Sequence, residues 1–444
     1  MFRRFFSAQK QLERHVDIAI VGGGPVGNAL AVSLSKSEWL KNKKIVVLEA
    51  GQPQRLGSPP PVYSNRVFAC NAASVNMFKE LGIWQTLKDY RVKEVGGLYV
   101  LDACSRSKVQ FDPRIGTNNV SHLIEDEAIT QALYGKIVDD CSNVDFLTKV
   151  RVMGCSLPRD LKDPAKIKLA DGSVIKALLV VGADGARSGI RSAMEVETTA
   201  FDYDQMAIVC TLEVACNGEN VIAWQRFTPL GPIALLPLTN SLSSLVWTSK
   251  TADAKRLLSL GPDEFVEELN HYLFTNNQQS DLANNALNLM DKAAQFLKFG
   301  CPEELKTPPT VTKLLVDSRA SFPLGFSHSH TYVKPRAALI GDAAHRVHPL
   351  AGQGVNLGWS DVKLLTKTLE NAVKEGSDIG SLTYLADYDT KSQRHNLPVM
   401  VSVDWLNRLY RTSFAPLVLA RSLGLHFVDK VGPLKDFIVS HASH

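Results

Sequence analysis

The sequence predicts an α/β protein: a discontinuous domain on a mainly parallel sheet, an inserted antiparallel sheet domain, and a helical C-terminus. Three observations predict it. Short apolar runs suited to buried parallel strands recur early, midway and late, at Val16–Val21, Leu178–Gly182 and Ala337–Gly341. Between them lie period-two stretches, Ala207–Ala215 and Ser241–Thr248. From Gly352 onward the spacing is mainly helical.

The elements follow in order. Val16–Val21, a helix over Pro25–Ser37 and a second buried strand at Lys44–Glu49 make a βαβ opening. Gly51–Pro61, rich in Pro and Gly, is a loop. Ala72–Leu81 has helical spacing, and Gly82 ends it. Gly96–Phe111 alternates like a strand pair, and Asp126–Val138 is helical. The two period-two stretches read as half-exposed strands, Asp263–Leu297 as a polar helix, and Gly352–Ala372 as a helix.

At 444 residues the chain is long for one hydrophobic core, so two domains are expected. Apolar residues at 45% and charged residues at 21% suit a soluble globular protein. A net charge of +4, unclustered, is too weak for nucleic acid. Seven scattered cysteines with no C-x-x-C pair argue for reduced thiols, against a disulfide framework or zinc site. Met1–Lys10 carries Arg3, Arg4 and Lys10 among Phe2, Phe5 and Phe6, with no acid before Glu13. That start resembles a mitochondrial transit peptide; a short basic tail is the other reading. Ile18–Ser37 carries only Lys36 as a charge, but Gly22–Pro25 interrupts it, so it reads as strand, turn and helix, not a membrane span.

Three glycine-and-acid motifs follow strands. The first is Gly22-Gly23-Gly24-Pro25-Val26-Gly27. Gly22 permits the tight turn, Gly24 lets backbone approach a pyrophosphate, and Gly27 packs helix on strand. The helix N-terminus then offers free N–H groups to an anion. Glu49 ends the next strand, 22 residues after Gly27, where an acid accepts from a ribose diol. The second motif is Gly182-Ala183-Asp184-Gly185-Ala186-Arg187-Ser188. The third, Gly341-Asp342-Ala343-Ala344-His345, continues as Pro349-Leu350-Ala351-Gly352-Gln353-Gly354-Val355-Asn356. A carboxylate at a strand end can bind a sugar hydroxyl, and the glycines beyond it can form a second anion nest. His345 and His348 lack a third ligand, so no metal is assigned.

This trio resembles the flavoprotein aromatic hydroxylases, the family of para-hydroxybenzoate hydroxylase, and more narrowly its UbiH-type ubiquinone-biosynthesis group. Arg66–Trp84, Gln225–Pro237, Phe322-Pro323-Leu324, Arg394-His395-Asn396 and Asp404 extend the likeness from about Val16 to beyond Arg408. The resemblance implies an FAD-binding Rossmann-like domain over 16–95, 120–200 and 312–380. It implies a substrate sheet domain over 96–119 and 201–311, after a targeting segment at 1–15 and before a helical region at 381–444. It places the FAD pyrophosphate at Gly22, Gly24, Gly27 and Arg66, and the adenosine ribose at Glu49. It gives the ribityl chain to Asp342 beside Gly341, and the isoalloxazine to Gly352, Gln353, Gly354 and Asn356. Asp184 and Gly185 match a motif tied to FAD and, in bacterial members, to NAD(P)H. Pro349 matches a proline whose carbonyl faces substrate; His348 and Phe227 join it as substrate candidates. Leu235, Leu236 and Phe322 are further candidates for an apolar channel, with ordinary core as the alternative. Asp126 departs from the Asn expected in the closest group, which suggests a second carboxylate at the flavin.

The implied reaction is hydroxylation at ring position 5 of a polyprenylated phenol or hydroxybenzoate, with O₂ carried as a flavin hydroperoxide. No side-chain nucleophile is needed. The implied electron donor is a ferredoxin and its reductase in preference to NAD(P)H. The implied setting is the matrix side of the inner mitochondrial membrane, peripherally bound and alongside other ubiquinone-biosynthesis proteins. For the tail, Phe414–Val439, membrane contact, packing on the FAD domain and partner contact all stay open. The competing functions are a flavin hydroxylase or reductase acting on another lipid-like substrate, and a flavin-stabilised scaffold.

Overall fold

The structure, a computed structural model, describes residues 13–113, 119–216, 218–275, 281, 283–286, 307–352, 354–412 and 414–430. The basic segment Met1–Lys10, Cys301 and Gln353 lie outside the described residues. The helices are α1 (Pro25–Lys36), α2 (Ala72–Leu81), α3 (Trp84–Tyr90), α4 (Asp126–Asp140), α5 (Gly189–Met194), α6 (Thr251–Ser259), α7 (Pro262–Phe274), α8 (Gly354–Lys374), α9 (Leu382–Tyr410) and α10 (Ala415–Lys430). No helix among the described residues is long and apolar enough to cross a membrane.

The first sheet is parallel at its centre. Glu13–Val21 lies between Ile45–Leu48 and Val174–Gly182; Val144–Leu147 and Ala337–Leu339 extend the two sides. Ile18, Ala19, Ile20, Val46 and Val47 are wholly buried, as strands covered on both faces must be. α1, α4 and α8 pack together over it. The parallel strands end at Val21, Leu48, Gly182 and Leu339, so their C-terminal edges collect all three glycine motifs. Ligands bind at that edge of an open α/β sheet.

The second sheet runs His345–Arg346, Ala320–Ser329, Thr198–Ala215, Leu242–Lys250, Gly231–Pro237, Ile222–Thr228, Gly97–Asp102, Lys108–Phe111. Its pairings are antiparallel except that of Ile222–Thr228 with Gly97–Asp102. The stretch expected in the first domain, 312–380, thus contains a strand, Ala320–Ser329, that hydrogen-bonds into this sheet. Ala207–Leu212 was expected half-exposed but is buried on both faces. α6 and α7 cover Ile208, Cys210 and Leu212 with Phe265 and Leu257, while Leu357 of α8 and Met400 of α9 meet Ala207 behind. Two covering layers override an alternating pattern. The polar helix expected over Asp263–Leu297 ends as α7 at Phe274, and 287–306 lie outside the described residues.

The described part of the tail packs on the second sheet, not on the FAD-type sheet. Arg421 of α10, wholly buried, donates from Nε to Asp102 Oδ2 at 3.0 Å and from Nη2 to Asp102 Oδ1 at 3.1 Å. Its Nη1 donates to the carbonyls of Leu409 and Thr412. The guanidinium also lies over Tyr410, which stacks on Phe227 at 3.8 Å between ring centroids. A fork-shaped donor satisfied on all sides fixes α10 against the sheet. Arg421→Leu strands the Asp102 carboxylate without its countercharge. The expected loss is about 3–5 kcal/mol, read as a lower denaturation midpoint of the full chain, and the double Asp102→Leu, Arg421→Leu change should lose less.

Candidate active site

The first glycine loop is fixed by contacts that exclude a side chain. Gly22 has φ +109°, and a Cβ there would sit 2.3 Å from the Ala183 carbonyl oxygen. At Gly27 a Cβ would lie 2.1 Å from the Gly22 carbonyl oxygen. Gly24 differs, because nothing lies within 4 Å of where its Cβ would be. It borders open space before the first turn of α1, the place where backbone N–H groups can meet a phosphate. Gly23 fills a variable position of the motif, yet its Cβ would meet Phe146 at 2.9 Å. Its N–H donates to Glu49 Oε2 at 2.7 Å, while Glu49 Oε1 accepts from Gly51 at 2.6 Å. The half-buried Glu49 therefore ties the loop to the second strand and keeps lone pairs for a further donor.

The third glycine motif, at Gly341, rests on the first. A Cβ at Gly358 of α8 would lie 2.8 Å from Val26, and one at Gly341 (φ +58°) would lie 3.4 Å from it. Contact through Val26 brings the N-terminal turns of α1 and α8 to one place. Gly341–Ala343 forms a 3-10 turn in which Asp342 stands exposed between two buried neighbours.

Behind that turn lies a buried network. Asp361 of α8 accepts from the Gly341 N–H at 2.9 Å and from His345 Nε2 at 2.6 Å on one oxygen. Its other oxygen accepts from the Ser392 hydroxyl and from Asn396 Nδ2 of α9. Burial works against both charges. The attraction and hydrogen bonds within the pair overcome it, holding the His345 pKa above and the Asp361 pKa below their ordinary values. His345 is thus a structural partner of Asp361.

The remaining candidates divide. Asp184 is engaged by its own loop: it accepts from Ser188 Oγ at 2.5 Å and from the Gly189 and Ile190 N–H groups, capping α5. Gly185 holds φ +77°. Asn356 donates to the Ala69 and Gly352 carbonyls and accepts from Ser74 Oγ, joining α8 to α2. Gly352 has φ +63° beside Ala69. Arg66 is exposed and pairs with Asp126 Oδ2 at 3.2 Å. Burial raises the Asp126 pKa, and Glu127 and Asp342 add to the rise against Arg66. The neighbouring Glu125 instead holds Arg91 and the Ser64 N–H. Pro349 is half-buried ahead of the Leu350–Gly352 turn, and Gly354 opens α8.

Leu235 and Leu236 lie apart from the other channel candidates. Leu235 packs with Trp224 and Trp247, whereas Leu236 meets Val95 and Leu123. Phe322 joins Tyr203 and Leu324, and Phe227 joins Leu350, Val403 and Tyr410. His348 is buried between the last two clusters, its ring edge-on to Tyr203.

The FAD-binding-domain family model matches residues 15–285 and 302–396. The chain is 46% identical over 434 residues to the mitochondrial ubiquinone biosynthesis monooxygenase COQ6 of Caenorhabditis elegans, covering 97% of this chain and 96% of that protein. It is 38% identical to the Homo sapiens protein of that name, over 96% and 92% of the two chains. The chain belongs to the COQ6 family of FAD-dependent monooxygenases. The fold also matches the p-nitrophenol 4-monooxygenase PnpA of Pseudomonas putida, with TM-score 0.70, 16% identity and coverage of 97% and 99%. It matches a probable FAD-dependent monooxygenase, pqsL of Pseudomonas aeruginosa, with TM-score 0.68, 19% identity and coverage of 93% and 100%.

The COQ6-family site fits FAD. Gly24 leaves its backbone open to an anion, Glu49 keeps lone pairs for a further donor and the Asp342 carboxylate is exposed, which is the chemistry a dinucleotide's phosphates and sugar hydroxyls require. Gly24→Val should fold normally yet lose FAD, measured as flavin content per chain and thermal midpoint of the apo form. Asp361→Asn tests the support. The raised His345 pKa stabilises fully below its ordinary 6.5 and fades as pH rises through the folded value. The depressed Asp361 pKa stabilises above its ordinary 3.8 and fades as pH falls through the folded value. The stability gap between wild type and Asp361→Asn should therefore be widest between those limits and narrow at alkaline pH.

Proposed function

We propose that this chain hydroxylates ring position 5 of a polyprenylated phenol or hydroxybenzoate in ubiquinone biosynthesis. Near full-length similarity to proteins named for that pathway carries the reading. O₂ and an aromatic substrate follow from monooxygenase chemistry. A ferredoxin and its reductase are the proposed electron donor, and the matrix face of the inner mitochondrial membrane the proposed place.

The chain's own residues have defined tasks in this reading. Gly22, Gly24, Gly27 and Arg66 hold the pyrophosphate, Glu49 the adenosine ribose, and Asp342 beside Gly341 the ribityl chain. Gly352, Gln353 and Gly354 border the flavin ring, with Asn356 fixing that turn. Bound FAD supplies the activation of O₂. The protein positions the phenol beside Pro349 and keeps water out with the apolar walls at Phe227, Leu350, Val403 and Tyr410. Leu397, Val401 and Trp405 are exposed along α9, between Arg394 and Arg408, and Phe414 and Leu417 follow. Such a face suits a peripheral contact with the membrane that would dissolve a prenylated substrate.

The reading is tested in cells whose only copy carries Asp342→Ala, by mass spectrometry of prenylated quinone intermediates. Accumulation of the species lacking the ring-5 hydroxyl, with a fall in ubiquinone, is expected. Unchanged ubiquinone from a variant that has lost FAD would sink the pathway assignment and leave the flavoprotein.

A further inference from the structure

Four fully described stretches of chain run from the parallel-sheet body into the second sheet, and each is interrupted where it crosses. The first passes from Lys93–Val95 to Gly97–Asp102 through Gly96 and Gly97. A Cβ at Gly96 would come no nearer than 3.5 Å to Val221, and one at Gly97 no nearer than 3.6 Å to the Phe111 carbonyl oxygen. Those are ordinary contacts, and neither glycine lies in the left-handed region. The folded arrangement therefore demands glycine at neither place, and what the pair adds is freedom to bend.

The second and third crossings are the strands Thr198–Ala215 and Ala320–Ser329. Their ladder slips between Asp202 and Gln205, leaving Tyr203 and Asp204 outside it, and Asp204 holds φ +51°. Opposite the slip stand Pro323, Leu324 and Gly325. On one side of it, Thr198–Asp202 pairs with Gly325–Ser329, which also holds His345–Arg346 of the flavin loop. On the other side, Gln205 begins the pairing with Leu242–Lys250 in the sheet proper. A bulge bends its strand, and a proline removes a ladder donor.

The fourth crossing is α9, which carries Pro398 in its interior. Pro398 has no N–H, so the Arg394 carbonyl loses its helical donor and the helix is weakened there. Before that point α9 belongs to the parallel-sheet body. Ser392 and Asn396 are held on Asp361, and Asp389 accepts from the Tyr332 N–H at 2.8 Å. After it α9 belongs to the second sheet: Asn407 donates to Gln205 Oε1 at 3.0 Å, and Val403 and Tyr410 pack with Phe227. α10 is locked to that same part through Arg421 and Asp102. The two bodies meet through apolar side chains, Leu350 against Phe227, Val403 and Tyr410, and Leu357 against Met400.

We propose that the second sheet, the part of α9 after Pro398 and α10 swing as one body about these four interruptions, parting Leu350 and Leu357 from Phe227, Met400, Val403 and Tyr410. A hinge is built in this way: a few positions absorb the change while the packed bodies on either side move intact. Internal hydrogen bonds and the Arg421–Asp102 pair keep the moving body whole, whereas the apolar contacts across the gap part without stranding a charge. The swing belongs to the fold. That it admits the prenylated ring and releases the product rests on the ring-hydroxylase reading.

Met400, 0% exposed at the gap, reports on the swing. The FAD-loaded full chain, free of substrate, is treated with hydrogen peroxide, and Met400 sulfoxide is followed by mass spectrometry. Gly96→Ala with Gly97→Ala stiffens one crossing far from Met400 in sequence. Each alanine restricts a mobile chain by roughly two- to fivefold, so the pair should slow Met400 oxidation roughly four- to twentyfold. Gly135→Ala, inside α4 with nothing within 4 Å of the added Cβ, stabilises the whole chain by the same means and should leave Met400 oxidation unchanged. Oxidation unaltered by the Gly96, Gly97 pair, or slowed as much by Gly135→Ala, overturns the swing and leaves the ring-hydroxylase reading standing. If the alanine pair does not retain FAD, Pro398→Ala, which returns a donor to Arg394, takes its place with the same two outcomes. The role of the swing is read from 3-prenylphenol binding, followed by flavin absorbance in stopped flow. The stiffened variant should slow association and dissociation by one factor and keep Kd. Unaltered rates beside slowed Met400 oxidation overturn the swing as the entry. A wild type that holds FAD but binds no 3-prenylphenol ends the ring-hydroxylase reading, and the Met400 result then decides the swing by itself.

Discussion

A single buried carboxylate, Asp361, holds the catalytic edge of the molecule together. Its two oxygens gather the backbone of the Gly341 loop, the His345 ring, and two side chains of α9. A dry ion pair is a costly device, because desolvation opposes both charges and only complete hydrogen bonding offsets it. Here that completeness is present. Gly341 can then adopt its left-handed conformation and leave Asp342 standing free, while α9 is fixed in the orientation that carries Tyr410, Asn407 and Asp404 to the second sheet. Flavin loop and pocket wall thus share one anchor.

The second anchor works from the other end. Arg421 fastens α10 to Asp102 and supports Tyr410 from behind, and Tyr410 in turn backs Phe227. The helical C-terminus is therefore part of the pocket's construction. It also rules out one role for that arginine: wholly buried against the sheet, it is not available to a lipid headgroup. The exposed apolar residues of α9 and α10 remain on the outer surface, so inner and outer faces of this region serve different ends.

What could be read from the sequence was what is local. The strand-loop-helix opening, Glu49 at the next strand end, and the Gly341-Asp342 turn each lie within a short segment whose residues dictate their own geometry. Ala72–Leu81 agrees in both bounds, since Asn71 caps it and Gly82 at φ +78° closes it. The anchors were not legible, because their partners are far apart: Asp102 and Arg421 are separated by 319 positions. Asp184 and Asn356 illustrate a different limit. A glycine-acid string reads the same whether its carboxylate meets a cofactor or caps the next helix, and only the three donors on Asp184 show which use its oxygens have here. Gly23 was missed although the run of three glycines signalled it, because the pattern treats that position as free.

The pocket region shares an electrostatic logic. Burial holds Tyr203 and Tyr410 protonated and His348 neutral, whereas the full charges of Asp404, Arg408 and Arg421 are paired behind them. A reaction that needs an electron-rich ring gains nothing from an ionisable wall, which would draw water and titrate with the medium. It gains from fixed dipoles in a dry space, where one donor is worth more than in water. The His348 imidazole has its tautomer set by a backbone N–H two residues on. The same peptide segment that leads into α8 therefore also sets which proton His348 presents, so the turn and the imidazole cannot be adjusted independently.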